Sequence, residues 1–191
     1  TTLTSAEAGY VDGPLASARF RRLGALAAHP DGSLYVSQQA DCAVRKIHLQ
    51  TGQVSTLART PVCNPDWNAP PALWDIAAMA VDGQGRVNAL RIGVVLRIDT
   101  AGQVSIPAAF DYPSPYTFIG RSLAVDAAGR VHFFVPDSNW LVGSYFHLLE
   151  DGSVAPSSAT ATANNQLNPF VITPAGAPLF AYPERGISRF G

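Results

Sequence analysis

The stretch Leu26-Ala-Ala-His-Pro-Asp-Gly32-Ser-Leu-Tyr-Val36 decides the fold, because its pattern returns three more times along the chain. An apolar run, a turn that ends in glycine and a second apolar run are typical of a β-hairpin. The later copies read Met79-Ala-Val-Asp-Gly-Gln-Gly85-Arg-Val-Asn-Ala89, Leu123-Ala-Val-Asp-Ala-Ala-Gly129-Arg-Val-His-Phe133 and Phe170-Val-Ile-Thr-Pro-Ala-Gly176-Ala-Pro-Leu-Phe180. The glycines lie 53, 44 and 47 residues apart (85 − 32, 129 − 85, 176 − 129). This period predicts a repeat architecture in which each repeat is one propeller blade.

Each repeat but the last also has a second glycine turn, at Thr51-Gly52-Gln53-Val54, Ala101-Gly102-Gln103-Val104 and Asp151-Gly152-Ser153-Val154. Two hairpins make four antiparallel strands, a to d, with the tight a–b and c–d turns at one end of the blade. The b–c and d–a connections lie at the other end, which we call the connection face. We therefore predict an all-β, four-bladed β-propeller of four-stranded antiparallel blades. It forms a single domain over 1–191, with blades at about 21–58, 74–109, 120–156 and 167–191.

The two ends of the chain predict how the ring closes. The fourth repeat reaches Gly186-Ile187-Ser188-Arg189-Phe190, which corresponds to strand c, and no strand d follows. Thr2-Leu3-Thr4 resembles Thr56-Leu57-Ala58 of the first strand d. We therefore expect residues 1–5 to complete the last blade, which would close the ring and remove two exposed sheet edges. The alternative is a frayed terminus on a fragment of a larger propeller.

The first repeat and the segment before it resemble the NHL-repeat family of β-propellers. Gly9-Tyr10-Val11-Asp12-Gly13-Pro14 and Ala18-Arg19-Phe20 carry the resemblance, which continues through Val44-Arg45-Lys46-Ile47 to Leu57. The other repeats keep only the a–b hairpin and the c–d turn. Propellers of this family generally have about six blades and usually place Asp and Asn in the b–c connection. This chain supplies four repeats and has Gln38 and Asp41 in that connection.

The amino-acid composition indicates a folded domain and disfavours some classes of partner. Hydrophobic residues make up 47% of the 191 residues, which is ample for one core, and no apolar run is long enough to span a membrane. Charged residues make up only 14%, and the formal net charge is −1. Nucleic acid and anionic membrane surfaces are therefore disfavoured as partners. Thr1 in place of Met is typical of a removed leader or a trimmed chain.

The two cysteines predict a disulfide. Cys42 lies in the b–c connection of the first blade and Cys63 in the d–a connection that leads to the second. Both connections emerge on the connection face of adjacent blades, so a Cys42–Cys63 bridge is sterically plausible. It indicates an oxidising, extracytoplasmic location, periplasmic or secreted. The alternative is two free thiols in a reducing compartment.

The sequence contains few residues that could form a catalytic or metal-binding site. The four histidines, His29, His48, His132 and His147, occupy different positions in the repeat and are not expected to converge on a zinc ion. Asp82 and Asp126 occupy equivalent places in the a–b turn, where a carboxylate accepts backbone N–H bonds. No nucleophile elbow, phosphate loop or Cys-x-x-Cys motif is present. We therefore predict no catalytic residue, no metal and no cofactor.

The connection face is the predicted binding surface. Its d–a segments are long and carry Trp67, Trp74, Tyr112, Tyr116 and Phe118, and the third b–c connection carries Trp140. Loops on a rigid scaffold concentrate binding residues, and aromatic side chains supply large contact areas. We predict binding through Trp67, Tyr112, Tyr116 and Trp140, with Arg121 and Asn168 at the mouth of the channel; Trp67, Trp74 and Phe118 would alternatively fold back over the blade ends.

The sequence thus favours a non-catalytic, extracytoplasmic binding or scaffold propeller that is a subunit of a larger assembly and contacts protein partners. A stand-alone propeller that binds carbohydrate or peptide is the first alternative. A metal-dependent enzyme of the lyase or lactonase type, with its site in the channel, is the second.

Overall fold

The computed structural model describes residues 7–61, 63, 73–91, 94–109, 123–136, 142–149, 151, 153–162, 170–172, 178–182 and 186–189. Within these residues the regular structure consists of β-strands and one turn of 3-10 helix at Gln39–Asp41. No helix in this part of the chain is long and apolar enough to cross a membrane. The chain is therefore all-β, as its glycine-punctuated pattern predicts.

The described strands form four antiparallel sheets, one for each repeat. The first sheet contains β1 (Gly13–Pro14), β2 (Leu23–Ala28), β3 (Ser33–Gln38), β4 (Ala43–His48) and β5 (Gln53–Arg59). The second contains β6 (Ala78–Val81), β7 (Val87–Arg91), β8 (Val94–Ile98) and β9 (Val104–Ala109). The third contains β10 (Leu123–Val125), β11 (Val131–Pro136), β12 (Val142–Leu148) and β13 (Val154–Thr162). The fourth contains β14 (Phe170–Ile172), β15 (Pro178–Tyr182) and β16 (Gly186–Arg189).

Each sheet contacts the next through strand a of its repeat, as the blades of a propeller do. Strand β2 contacts β6, β6 contacts β10, and β10 contacts β14. Ring closure is not seen among the described residues, and the predicted closing strand at residues 1–5 lies outside them. On the face of the first sheet that points away from the second, Leu23 and Leu26 of β2 are 55% and 60% exposed. No neighbouring sheet covers these two side chains in the described part of the chain.

The core is divided into layers between the sheets. Tyr35 and Val44 of the first sheet pack with Val87 and Leu96 of the second in one cluster. On the other face of the second sheet, Leu90 packs with Phe133 and other apolar residues of the third. Because both faces of the second sheet are covered, all five residues of β7 are buried, including the polar Asn88 and Arg91.

The glycine turns have the backbone geometry that the repeat predicts. In the a–b turns, Gly32, Gly85 and Gly129 have φ of 83°, 77° and 80°. Residues with a side chain rarely adopt this left-handed backbone conformation, so glycine is the favoured residue at these positions. Gly102 has an additional packing reason, because a Cβ there would overlap the carbonyl oxygen of Leu57 in the first sheet.

The carboxylates of the a–b turns accept backbone N–H bonds, as predicted. Asp126 Oδ1 accepts the N–H groups of Ala128 and Arg130, both at 2.9 Å. Its Oδ2 accepts the Arg130 Nε–H at 2.7 Å and lies 3.0 Å from His132 Nε2. Asp82 makes the corresponding bonds in the second sheet. Burial opposes ionisation of Asp126, but the bonds to His132 and Arg130 outweigh it and lower its pKa to about 2.

We predict that acid destabilises the protein in part through Asp126. Because its pKa is lower in the folded protein than in the unfolded chain, its stabilisation is complete above about pH 4–5 and is lost as the pH falls towards 2. The loss is about 2 kcal/mol. The melting temperature should therefore fall less between pH 5 and pH 2 in Asp126→Asn than in the wild type. An equal fall in both proteins would contradict this account.

The N-terminal segment, residues 7–20, makes the first sheet different from the four strands predicted. Gly13 and Pro14 pair with Val54 and Gln53, which adds β1 as a fifth strand beyond β5. The rest of the segment crosses the face of this sheet that points away from the second sheet. There Ala18 packs with Val36 and Ile47, with Phe20 beside them. The segment thus covers much of a face that, in the second and third sheets, packs on the preceding sheet.

Candidate functional site

A cavity of about 420 Å³ opens on the connection face between the first and second sheets. Among the described residues, its walls come from four places in the chain: the residue before β2, the 3-10 turn between β3 and β4, the segment after β5 and the segment before β6. The described lining residues are Arg22, Gln39, Ala40, Cys63, Trp74 and Asp75. Its volume is within the range of small-molecule sites.

The predicted disulfide between Cys42 and Cys63 is confirmed, and it forms part of this cavity's wall. The Cα atoms of the two residues are 5.5 Å apart, within the usual range for a disulfide. The bond ties the segment after β5 to the end of the 3-10 turn, next to Gln39 and Ala40. It therefore holds two walls of the cavity at a fixed separation.

Non-glycine residues with left-handed backbone conformations occur at this cavity. In the described chain they are Arg22, Cys42 and Asp75, with φ of 46°, 47° and 52°. Arg22 and Asp75 line the cavity, and Cys42 is bonded to the lining Cys63. Such conformations carry a free-energy cost and occur preferentially at functional sites. The backbone N–H of Gln39 donates to the Arg22 carbonyl at 3.0 Å, which holds Arg22 against the turn.

Arg22 and Asp75 occupy equivalent positions in their repeats. They are 53 residues apart, the same separation as Gly32 and Gly85 of the a–b turns (75 − 22 = 85 − 32). Each lies just before strand a of its sheet, and β2 contacts β6. The contact between sheets therefore places both residues on one cavity, a basic residue from the first repeat and an acidic residue from the second.

The charged side chains that line this cavity differ from those beside it in their hydrogen bonds and ion pairs. Beside it, Arg21 donates to both carboxylate oxygens of Asp41, and this hydrogen bond is the largest cause of the lowered pKa of Asp41. By contrast, neither the guanidinium of Arg22 nor the carboxylate of Asp75 makes a hydrogen bond or an ion pair within the described residues. Arg22 is exposed and Asp75 is half-buried, so both groups are accessible to a ligand.

Trp74 provides the aromatic surface of the cavity. Its ring is half-buried, packs against the core between the first two sheets and lies 5.1 Å from the guanidinium of Arg91. Burial lowers the pKa of Arg91, and the negative charge of Asp75 opposes that shift. Trp74 therefore packs against the core between the first two sheets and also lines the cavity.

The six binding residues predicted from the sequence all lie outside the described part of the chain. They are Trp67, Tyr112, Tyr116, Arg121, Trp140 and Asn168. The sequence predicted the connection face but did not predict Arg22, Gln39 or Asp75 as site residues. The 53-residue offset that relates the glycines also relates Arg22 to Asp75, but it does not by itself indicate the cavity that the two residues line.

Two of the four histidines are neighbours on adjacent strands. His132 and His147 are directly opposite each other on β11 and β12, with ring centroids 5.7 Å apart. Burial is the largest cause that lowers the pKa of His147, and the neighbouring His132 adds to it. Among the described residues no three His, Cys, Asp or Glu side chains form a group that could hold a metal ion. The absence of a metal from the whole protein stays a prediction.

The four blade-like sheets place this chain among proteins with a propeller-like fold. No protein-family model and no curated protein sequence matches the chain. Among solved structures, it is similar to a streptogramin B lyase, with a TM-score of 0.62 and 12% identity over 94% of this chain and 54% of that one. It is also similar to a protein of unknown function from Bacteroides thetaiotaomicron, with a TM-score of 0.61 and 18% identity over 100% of this chain and 49% of that one.

A third similar structure is a chain of the nidogen–laminin complex, with a TM-score of 0.57 and 14% identity over 83% of this chain and 56% of that one. At these identities the similarity shows the fold alone. The chain spans about half the length of the solved structures it matches.

Proposed function

We propose that this chain is a non-catalytic, extracytoplasmic binding propeller of the NHL type. It contacts its partner through the connection face as part of a larger assembly. In this proposal the four sheets are a rigid support for the connections, and residues 1–5 complete the last blade.

The observation that carries the proposal is the cavity between the first two sheets. Its strained backbone is held by a disulfide, and two accessible charged groups line it. A protein retains such costly conformations when the surrounding structure fixes them, and they are enriched at ligand-binding positions. The opposite end of the first three sheets consists of short turns whose carboxylates are engaged with their own backbone.

The disulfide supports the extracytoplasmic location. Stable disulfides persist in oxidising compartments and are rare in the reducing cytoplasm of mesophiles. The low content of charged residues, 14%, fits a surface that is partly covered by other subunits. These two properties are the reasons for preferring an assembly outside the cytoplasm.

Site-specific photo-crosslinking in the native host tests the proposal. A photoreactive amino acid replaces Gln39 at the cavity or, as the matched control, the exposed Gln103 in the c–d turn of the second sheet. We expect a discrete covalent adduct with a partner protein from position 39 and none from position 103. Adducts from position 103 alone would place the binding surface at the opposite end and contradict the proposal.

A further inference from the structure

We infer that the cavity between the first and second sheets binds a small zwitterionic ligand, an amino acid or a dipeptide with an apolar side chain. Arg22 binds its carboxylate, and Asp75 binds its ammonium group. This inference rests on the proposed use of the connection face for binding and adds the chemical class of a ligand.

Asp75 differs from the other described acidic residues in its partners. Every other carboxylate whose side chain the structure describes has a hydrogen bond or an ion pair: Glu7, Asp12, Asp31, Asp41, Asp82, Asp99, Asp126 and Asp151. Asp75 has neither within the described residues, although it is half-buried. Its charge interacts electrostatically with Arg91, but its half-buried carboxylate oxygens have no hydrogen-bond donor in the described chain, and an ammonium group can supply one.

Arg22 differs in the same way from the other described arginines. The other arginines with described side chains all have recorded contacts: Arg19, Arg21, Arg45, Arg59, Arg86, Arg91, Arg97 and Arg130. Arg22 makes no such contact in the described chain and lines the same cavity as Asp75. A guanidinium presents a planar pair of donors that matches a carboxylate.

The two opposite charges come from equivalent backbone positions on either side of the contact between the sheets. Both residues have left-handed φ, and each lies just before the first strand of its repeat, where β2 contacts β6. Within the described residues they are not joined by an ion pair, even though they share one cavity. Two opposite charges that are kept apart across a cavity are complementary to a ligand that carries both charges on one short framework.

The apolar part of the ligand follows from the rest of the lining. Trp74, Ala40 and Cys63 also line the cavity, and Gln39 adds an amide that can donate and accept hydrogen bonds. An aromatic ring is an effective partner for an apolar side chain because it buries a large area. L-Phenylalanine and glycyl-L-phenylalanine carry the required groups at two different charge separations.

Calorimetric titration of the full chain with four probes tests the inference. The probes are L-phenylalanine, glycyl-L-phenylalanine, 3-phenylpropionate, which lacks the ammonium group, and 2-phenylethylamine, which lacks the carboxylate. We expect one of the two zwitterions to bind at least about tenfold more tightly than either singly charged analogue. The preferred zwitterion identifies the source as an amino acid or a dipeptide. Raising the salt to 0.5 M should weaken its binding, because salt screens exposed charges.

Two variants assign the roles of the residues. Arg22→Gln should weaken the binding of the zwitterion and of 3-phenylpropionate by at least about tenfold and leave the binding of 2-phenylethylamine unchanged. Asp75→Asn should weaken the binding of the zwitterion and of 2-phenylethylamine and leave the binding of 3-phenylpropionate unchanged. The matched control, Asp151→Asn in an exposed c–d turn, should change none of these affinities. The melting temperature of each variant shows whether it is folded.

Other outcomes would overturn the inference. Failure of both zwitterions to bind at millimolar concentration would do so, as would binding that neither variant alters. Binding of a neutral sugar such as cellobiose, unchanged in Arg22→Gln, would assign the cavity to saccharides instead. These results are separable from the crosslinking test, because a partner protein captured at position 39 does not depend on a small zwitterion.

Discussion

Replacing Arg45 by alanine is expected to lower the free energy of unfolding by about 3 kcal/mol, because it removes a fully buried side chain and the hydrogen bonds of its charged guanidinium. The Arg45 side chain is fully buried under the N-terminal segment. Its guanidinium contacts the carboxylate of Asp12 and donates to the Val11 carbonyl at 2.8 Å and to Gln38 Oε1 at 3.1 Å. Alanine would remove these bonds and leave a cavity.

Aromatic rings add to the contribution of Arg45. The centroids of the Tyr10 and Phe20 rings lie 4.7 Å and 4.9 Å from the centre of its guanidinium. Both rings belong to the N-terminal segment, so the arginine ties that segment to the sheet through cation–π contacts as well as hydrogen bonds. We therefore expect Arg45→Ala also to speed hydrogen exchange at the amides of residues 8–20.

The matched control is Arg19→Ala, which removes an exposed ion pair with Glu7. Exposed pairs contribute about 0–1 kcal/mol, so this variant should unfold at nearly the wild-type denaturant concentration. Urea unfolding of both variants measures the difference. If Arg45→Ala lost no more stability than Arg19→Ala, the N-terminal segment would not depend on the buried arginine.

Loss of the disulfide is the second large expected effect. The Cys42–Cys63 bond closes a loop with a sequence separation of 21 residues, which stabilises the folded state by about 3 kcal/mol through the reduced entropy of the unfolded chain. Cys63→Ser should therefore lower the free energy of unfolding by about that amount. We chose Cys63 because it is exposed, whereas replacement of the buried Cys42 would also disturb the core.

Reduction provides the matched control for Cys63→Ser. Dithiothreitol should destabilise the wild type by a similar amount and leave the variant unaffected, because the variant has no disulfide to reduce. A thiol titration of denatured, unreduced wild type should find no free thiol. Two free thiols in that titration would contradict the disulfide and remove the main support for an oxidising compartment.

The repeat and its turns were predictable because they depend on local geometry. A tight turn with positive φ requires glycine whatever surrounds it, so Gly32, Gly85 and Gly129 indicated the hairpins directly. The acceptor role of Asp126 is equally local, because its partners lie within six residues. The pairing of Cys42 and Cys63 needed only the order of the strands and the end of the blade at which each connection emerges.

The burial of Arg45 was decided by tertiary structure alone. Its position in the first sheet corresponds to Leu96 in the second, where an apolar residue packs on the preceding sheet. The first sheet has the N-terminal segment in that place, which supplies a carboxylate, carbonyl oxygens and two aromatic rings. Those partners lie 25 to 35 residues earlier in the chain, beyond the reach of any periodic pattern.

By itself the sequence determined the all-β repeat, the glycine turns, the turn carboxylates and the disulfide, since each follows from steric rules that act over a few residues or from the order of strands. Only the tertiary structure decided the fifth strand of the first sheet and the cavity lined by Arg22 and Asp75. The left-handed conformations of Arg22 and Asp75 have no signature in the repeat pattern, because residues other than glycine adopt them only where the surrounding structure fixes the backbone. The cavity exists because β2 contacts β6, a contact between residues more than fifty positions apart.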